Sequence, residues 1–141
     1  MEREIALQVG ALPWRLGRHG LEILLITSRE TQRWVIPKGW PMPGLTDAQA
    51  AAREAFEEAG IDGVSPESVI GRYRYEKRMK KGGSRLCEVS VFALEVGREH
   101  ARWPEARQRK RKWFAAAEAA GLVDEVELRG IIATFALRKV S

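Results

Sequence analysis

The sequence predicts an α/β fold of the α+β type, with a mixed sheet sandwiched between helices. Residues 21–27, LEILLIT, are almost wholly apolar, as expected of a strand buried on both faces. Residues 47–59 are rich in alanine and lie between a helix start signal and a stop signal. Strand-like segments precede this helix and follow it, and helical segments close the chain. This order favours one sheet with helices packed on it.

The strands are predicted from apolar runs that are bounded by turn residues. Residues 37–44 contain three prolines and two glycines and are expected to form a loop, directly before the helix. The glycines at 17–20 and 82–83 lie between strand-like runs and indicate turns. The predicted strands are residues 5–12, 21–27, 33–36, 69–75, 86–96 and 112–114.

The helix at 47–59 has recognisable signals at both ends. Thr46 offers an N-cap hydroxyl, and Gln49 three positions later completes a capping-box pattern. Gly60 suits the left-handed turn that ends many helices. Two further helices are predicted at residues 115–120 and 124–137. In the last one, four apolar residues share one face and are expected to pack on the core: Leu128, Ile131, Ile132 and Phe135.

Length and composition indicate a single domain over residues 1–141. The charged N-terminus is unlike a signal peptide, and no run approaches the ~20 apolar residues that span a bilayer, so we expect a cytoplasmic protein without a membrane partner. Cys87 lies in an apolar run and is expected to be a buried structural thiol. The net charge of +5 is compatible with binding a small polyanion, a nucleic acid or a membrane surface, or with a solvated basic surface.

Three glutamates crowd one side of the predicted helix. With Ala52 set at zero on a helical wheel, Ala55, Phe56 and Ala59 fall within about 60° of it, whereas the glutamates fall between about 140° and 240°. Like charges at this spacing repel each other. The three carboxylates, Glu54, Glu57 and Glu58, either are screened by solvent or surround a divalent cation such as Mg²⁺.

The stretch from Gly39 to Ile61 resembles the Nudix box, the signature of the Nudix hydrolases. The matching positions are Gly39, Arg53, Glu54, Glu57, Glu58, Gly60 and Ile61. The flanking segments SRETQRWVIPKGW and ARQRKRKWF are similar to the branch that contains the diphosphoinositol polyphosphate phosphohydrolases and related bacterial enzymes. The resemblance therefore implies a Nudix-type α/β/α sandwich.

Two positions depart from the signature. Leu45 stands where the family has a glutamate, and the small Ala55 stands where it has a larger aliphatic residue. In the family that glutamate supports the signature's arginine, so Asp47 or a water is expected to replace it here.

The resemblance implies a hydrolase that cleaves a phosphoanhydride bond with Mg²⁺, or with Mn²⁺ as the alternative. Glu54 and Glu58 are then the expected inner metal ligands, Glu57 a ligand directly or through water, and the carbonyl of Gly39 a backbone ligand. Arg53 is expected to brace the glutamates rather than to touch substrate. The general base is one of the glutamates or a residue on a later loop. Glu88 is either a further ligand or a residue at the rim.

Positive charge must hold the substrate's phosphates. By resemblance Ser28 and Arg29 contact phosphate, with Arg33 as a further companion, and we assign the substrate site to Ser28, Arg29, Lys38, Arg78 and Arg85. The run 107–112 is either surface or substrate rim. On the strand RYRYEKR, the side chains of Arg72, Arg74 and Arg78 should share one face, as a polyanion clamp, a base-stacking surface or a solvated edge.

The substrate is expected to be a diphosphoinositol polyphosphate, a dinucleoside polyphosphate or a nucleoside diphosphate derivative. The alternatives are removal of pyrophosphate from an RNA 5′ end, and a non-catalytic Nudix module that binds nucleotide and regulates a partner. Nucleic acid is the less favoured ligand. Trp34, Trp40 and Trp113 flank the expected site but are predicted mainly to pack.

Overall fold

One eight-stranded mixed sheet organises residues 4–140, the part of the chain that the computed structural model describes. Residues 1–3 and Ser141 of the predicted domain lie outside the described residues. The central strands run in the order β3-β2-β1-β7-β5, with β4 paired to β1, β6 to β7 and β8 to β2. Strands β1 and β7 are parallel, and the other pairs are antiparallel. The strands are β1 (Ala6–Gly17), β2 (Gly20–Thr27), β3 (Trp34–Val35), β4 (Lys38–Gly39), β5 (Ile61–Val64), β6 (Gly71–Arg78), β7 (Ser84–Glu99) and β8 (Arg111–Ala115).

Helices cover both faces of this sheet, which confirms the predicted sandwich. The helices are α1 (Asp47–Ala59), α2 (Ala116–Leu122) and α3 (Val126–Val140). Strand β2 contributes to both layers, since Leu24 packs in the core under α1 and Ile23 in the core under α3. Its apolar run is buried on both faces, as the sequence predicts. Within residues 4–140, none of the helices combines the length and the hydrophobicity that a membrane-spanning helix requires.

The capping box of α1 forms as predicted. The Thr46 hydroxyl accepts a hydrogen bond from the backbone N–H of Gln49 at 3.1 Å, and Gln49 Oε1 accepts one from the backbone N–H of Thr46 at 2.9 Å. Gly60 closes the helix in the left-handed region, with φ 68°. These local bonds satisfy helix-end groups that would otherwise need water, so both ends of α1 are determined by short-range chemistry.

Strands β1, β6 and β7 run longer than predicted, and in two places the type of element differs from the prediction. The segment 37–44 is not wholly loop, because β4 pairs with β1 in the register Val9↔Gly39. Strand β5 was not predicted, because its sequence IDGV shows no apolar alternation; pairing with the far end of β7 makes it a strand. Both are formed by partners distant in sequence.

The remaining core predictions are mostly confirmed. Cys87 is fully buried and free. On α3, Leu128, Ile132 and Phe135 are buried, while Ile131 is half-buried and packs at the edge of the same cluster. The helix-spaced apolar stripe therefore faces the sheet.

Candidate metal and phosphate site

Strand β4 and helix α1 bring the first and middle parts of the signature together. Pairing with β1 fixes the backbone of Gly39, and the carboxyl group of Glu54 lies directly against it. A Cβ atom added at Gly39 would lie 2.3 Å from Glu54 Cδ, well inside van der Waals contact. Glycine at this position therefore leaves the space that the carboxyl group occupies.

The wheel prediction for α1 is wrong in one respect. The apolar and acidic faces are not on opposite sides, because Glu58 is 8% exposed and lies on the side that packs on the sheet. Ala52 and Phe56 are only half-buried, on the outer side of the helix. The small side chains of Ala51 and Ala55 allow α1 to lie close to the sheet, so the packed arc is wide enough to include Glu58.

Burial and mutual repulsion raise the proton affinity of this acidic group. Burial, then the charges of Glu58 and Glu57, raise the pKa of Glu54 to about 7. Burial also raises the pKa of Glu58, against the opposing charges of Arg109 and Lys38. In the absence of a cation the Glu54 carboxyl is therefore partly protonated at neutral pH.

The donor set fits a hard divalent cation. Within residues 4–140 no three acidic, histidine or cysteine side chains already surround one point as a finished metal site. Instead Glu54 hydrogen-bonds Glu58, and Glu57 is paired with Arg53 at 3.4 Å. Carboxylate oxygens beside a backbone carbonyl are the ligands that Mg²⁺ prefers. A hard divalent cation would be held by the carboxylates of Glu54 and Glu58, with Glu57 as a further ligand, and would offset their mutual repulsion.

Arg53 is placed as a surface residue rather than in the interior. Its side chain is 62% exposed, and its pair with Glu57 links positions four apart on α1. Leu45 is 40% exposed and lines a groove with Arg53 on the outer side of the helix. Asp47 lies exposed in the first helical turn, and its role as a replacement for the signature glutamate stays a prediction.

The carboxylates lie in a cleft of about 290 Å³ that also has basic and aromatic walls. A second cleft of about 280 Å³ adjoins it and shares four of its residues: Arg29, Lys38, Tyr75 and Lys77. Desolvation lowers the pKa of Lys38, against the raising effect of Glu58, and the Lys38 ammonium lies 4.8 Å from the Tyr75 ring centre. The acidic end of the groove is therefore continuous with a basic end.

The predicted phosphate contacts are brought together only in part. Ser28, Arg29, Lys38 and Arg78 line the basic cleft, but Arg85 lies outside the lining of both clefts, 5.7 Å from the Trp40 ring centre. The Ser28 hydroxyl is already hydrogen-bonded to Thr31 and accepts from the backbone N–H of Arg33.

Two other predicted candidates are engaged elsewhere. Arg33 lines the basic cleft but pairs with Glu125 at 2.9 Å. Glu88 pairs with Arg74 at 3.0 Å, across the register of β6 and β7, and is not among the residues that line the acidic cleft. Of the three tryptophans, Trp40 lines the acidic cleft, while Trp34 and Trp113 pack against the two cores.

The side chains of strand β6 lie alternately on two faces, as predicted. Arg72, Arg74 and Arg78 are exposed, whereas Tyr75 and Lys77 alternate with them and line the acidic cleft. Arg74 is paired with Glu88, and Arg72 donates to the Ser90 hydroxyl at 3.2 Å. Arg78 alone of these three arginines is among the residues lining the basic cleft, so the arginine face as a whole is not part of the groove.

Sequence reasoning missed several cleft residues. Gln8, Tyr75, Lys77 and Glu105 line the acidic cleft, as does Arg109, which the sequence placed only within the 107–112 run of surface or substrate-rim residues. Tyr75 donates its hydroxyl hydrogen to Gln8, which is buried. Glu105 lies two residues before the basic run 107–112 and Arg109 lies within it, and their spacing of four residues was the available signal.

The segment before β8 and the first residue of β8 also cap the C-terminal end of α1. The indole N–H of Trp103 donates to the Glu58 carbonyl at 3.1 Å, and the Glu105 N–H donates to the Glu57 carbonyl at 3.1 Å. Arg111 donates to the Ala59 carbonyl at 2.9 Å. The last turn of the glutamate-bearing helix is thus held by residues that lie 45 to 52 positions further along the chain.

Known proteins are similar to this chain in sequence. The sequence profile of the NUDIX domain matches residues 6–135. "Nudix hydrolase 21, chloroplastic" of Arabidopsis thaliana is 33% identical over 136 residues, which cover 93% of this chain and 66% of that protein. "Diphosphoinositol polyphosphate phosphohydrolase 3-beta" of Bos taurus is 29% identical over 114 residues, covering 79% of this chain and 65% of that protein. This chain thus spans about two thirds of the length of these relatives.

A solved structure shows the same fold at lower sequence identity. The structure of a C. elegans Ap4A hydrolase superposes with a TM-score of 0.65 at 21% identity, covering 94% of this chain and 96% of that one.

Proposed function

This chain belongs to the Nudix family, and on that premise we propose that it is a divalent-metal-dependent pyrophosphohydrolase acting through a single domain over residues 1–141. One observation carries the proposal. The glutamates of α1 meet Gly39 in a cleft whose acidic end continues into a basic end. Such a groove suits a cation next to a chain of phosphates.

Glu54, Glu58 and the carbonyl of Gly39 would hold the cation, with Glu57 as a further ligand. Nudix hydrolases generally use divalent metals, and we propose Mg²⁺, with Mn²⁺ as the alternative, because the donors are all hard oxygens. A cation held there supplies positive charge to the diphosphate oxygens and lowers the pKa of the attacking water.

The chain's own groups would orient the substrate and accept a proton. Lys38, Arg29, Ser28 and Arg78 line the basic cleft, where they would bind phosphate oxygens; Arg85 would extend this surface past Trp40. Glu105 lies in the same cleft as the α1 glutamates, on a later loop. It is therefore a candidate for the general base, together with Glu57.

The substrate we favour is small and multiply phosphorylated, because several positively charged side chains line the basic cleft. A diphosphoinositol polyphosphate, a dinucleoside polyphosphate or a nucleoside diphosphate derivative would fit this description. The relative from Bos taurus is named for the first, and the C. elegans enzyme for Ap4A. RNA with a 5′ triphosphate is the alternative, although Arg72 and Arg74 are engaged with neighbours on the strand. We retain the cytoplasm as the expected location.

The test is hydrolysis by the purified full chain with Mg²⁺ or Mn²⁺. The panel contains one substrate of each small class and a 5′-triphosphorylated RNA, and released phosphate and products are quantified. We expect turnover of at least one small substrate, lost on adding EDTA and reduced at least about 100-fold in Glu58→Gln. The matched control is Glu118→Gln, on the exposed side of α2, which should retain activity.

Two results would contradict the proposed function. Turnover of RNA alone would replace the substrate class. No turnover of any substrate, together with tight binding of a nucleotide, would indicate a non-catalytic regulatory module.

A further inference from the structure

The pair that braces the signature elsewhere in the family is weak in this chain. Leu45 has no polar group with which to support Arg53. Arg53 pairs with Glu57, at the edge of the acidic group, at 3.4 Å, and most of its side chain faces solvent. A solvent-exposed pair between flexible side chains contributes little to orientation.

A different arginine occupies the interior position. The side chain of Arg109 is 10% exposed, and its guanidinium reaches three separate parts of the fold. Nη2 lies 3.6 Å from Glu58 Oε2, Nε donates to Glu105 Oε1 at 2.8 Å, and Nη1 donates to the Thr27 carbonyl at 3.2 Å. The planar guanidinium carries N–H donors on three separate nitrogens, so each nitrogen can contact a different partner.

The backbone on both sides of Arg109 is held in place. The Lys110 N–H donates to the Thr27 hydroxyl at 2.9 Å, and the Thr27 N–H donates to the Lys110 carbonyl at 3.0 Å. Strand β8 then continues along β2 from the pair Ile26↔Arg111. Glu105 is fixed in turn by its own N–H, which donates to the Glu57 carbonyl. The segment that carries the guanidinium is therefore hydrogen-bonded both to strand β2 and to the C-terminal end of α1.

We propose that Arg109 is the positioning residue for the metal-binding glutamates of this chain, in place of Arg53 and the glutamate that Leu45 replaces. It orients the Glu58 carboxylate and offsets its charge, and through Glu105 it connects the loop before β8 to the same site. The inference rests on the proposed function, because it assumes that Glu58 is a metal ligand. Arg109 acts through Glu58, and cation binding is therefore the quantity it should change.

The test measures Mn²⁺ affinity of the full chain by electron paramagnetic resonance, without substrate. We expect Arg109→Gln to weaken binding about 10- to 100-fold, as is usual when a partner of a metal ligand is removed. Arg109→Lys should recover part of this loss, because it restores the charge but not the fork. If Arg109 has this role, and neither Arg53 nor Asp47 has it, Arg53→Gln and Asp47→Asn should stay within about threefold of wild type. Arg18→Gln is the control for loss of one positive charge, at the exposed β1–β2 turn.

A kinetic split separates positioning from substrate binding. At saturating metal, Arg109→Gln should lower kcat and leave KM for the substrate within about threefold. A KM raised more than tenfold, with Mn²⁺ affinity unchanged, would instead make Arg109 a phosphate ligand and overturn the inference. So would a loss of Mn²⁺ affinity in Arg53→Gln as large as that in Arg109→Gln.

Two further outcomes remain informative. If Arg109→Gln does not fold, Arg109→Lys decides alone, and Mn²⁺ affinity within twofold of wild type would overturn the inference. A wild-type chain that binds no Mn²⁺ and hydrolyses no substrate would overturn the proposed function itself. If wild type and Arg109→Gln bind Mn²⁺ equally tightly, only the role of Arg109 is refuted and the proposed function stands.

Discussion

The carboxyl group of Glu54 occupies the space that a side chain at Gly39 would fill. A Cβ atom there would lie 2.3 Å from Glu54 Cδ. One residue belongs to a two-residue strand and the other to the middle of a helix, and only the pairing of β4 with β1 brings them together. This contact makes the glycine that opens the signature a structural requirement of the acidic site.

Gly39→Ala should therefore damage the site more than the fold. The added methyl group displaces the flexible end of Glu54, so we expect Mn²⁺ affinity to fall at least about tenfold. Titration calorimetry measures the affinity, and urea unfolding measures the fold. Gly121→Ala is the matched control, because a Cβ at Gly121 meets no atom within 4 Å. Equal metal affinity in both variants would contradict the assignment of Glu54.

The metal-free protein should lose stability as pH rises through the range in which Glu54 ionises. Its pKa is about 7 in the folded chain and near the ordinary 4.5 when unfolded, so the folded state binds more protons between these values. The free energy of unfolding therefore falls as pH rises from about 4.5 to about 7.

Urea unfolding in EDTA at several pH values checks this slope. Glu54→Gln should reduce it, because glutamine does not titrate, whereas Glu118→Gln on the surface of α2 should leave it unchanged. A slope that is the same in wild type and Glu54→Gln would show that Glu54 ionises normally.

Thr46→Ala should lower the free energy of unfolding by about 1 kcal/mol, because it removes the hydroxyl that accepts from Gln49. Thr134→Ala, at an exposed position of α3, changes the same atoms without a cap and should have a much smaller effect. Chemical denaturation of the two variants side by side gives the difference. If both lose the same stability, the capping box is not responsible.

Arg111 should matter for stability through the end of α1. Its guanidinium donates to the carbonyls of Ala59, Gly60 and His100, so Arg111→Gln leaves several of these acceptors without a charged donor. We expect a loss of about 2 kcal/mol in the free energy of unfolding, measured by denaturation in EDTA. Lys110→Gln, which removes an exposed neighbouring charge, should cost less than about 0.5 kcal/mol. If Arg111→Gln and Lys110→Gln lose similar amounts of unfolding free energy, the loss comes from the change in net charge and not from the hydrogen bonds of Arg111.

Sequence reasoning was most successful where short-range chemistry decides the structure. The ends of α1 depend on Thr46, Gln49 and Gly60, which lie within or next to the helix, and all three behave as predicted. The apolar run of β2 and the stripe on α3 likewise predicted which faces are buried. The signature positions identified the family, although the roles of the individual glutamates stay predictions.

The tertiary structure decided what depends on distant partners. The sequence could not place Glu58 on the packed side of α1, because the width of that face depends on how closely the sheet approaches the alanines. Nor could it distinguish Arg109 from its basic neighbours, since only the attachment of residue 110 to Thr27 turns that guanidinium inward. Local pattern thus determined the elements and the family signature. Long-range pairing determined which charges share the cleft, because hydrogen bonds between remote segments leave no periodic trace in the sequence.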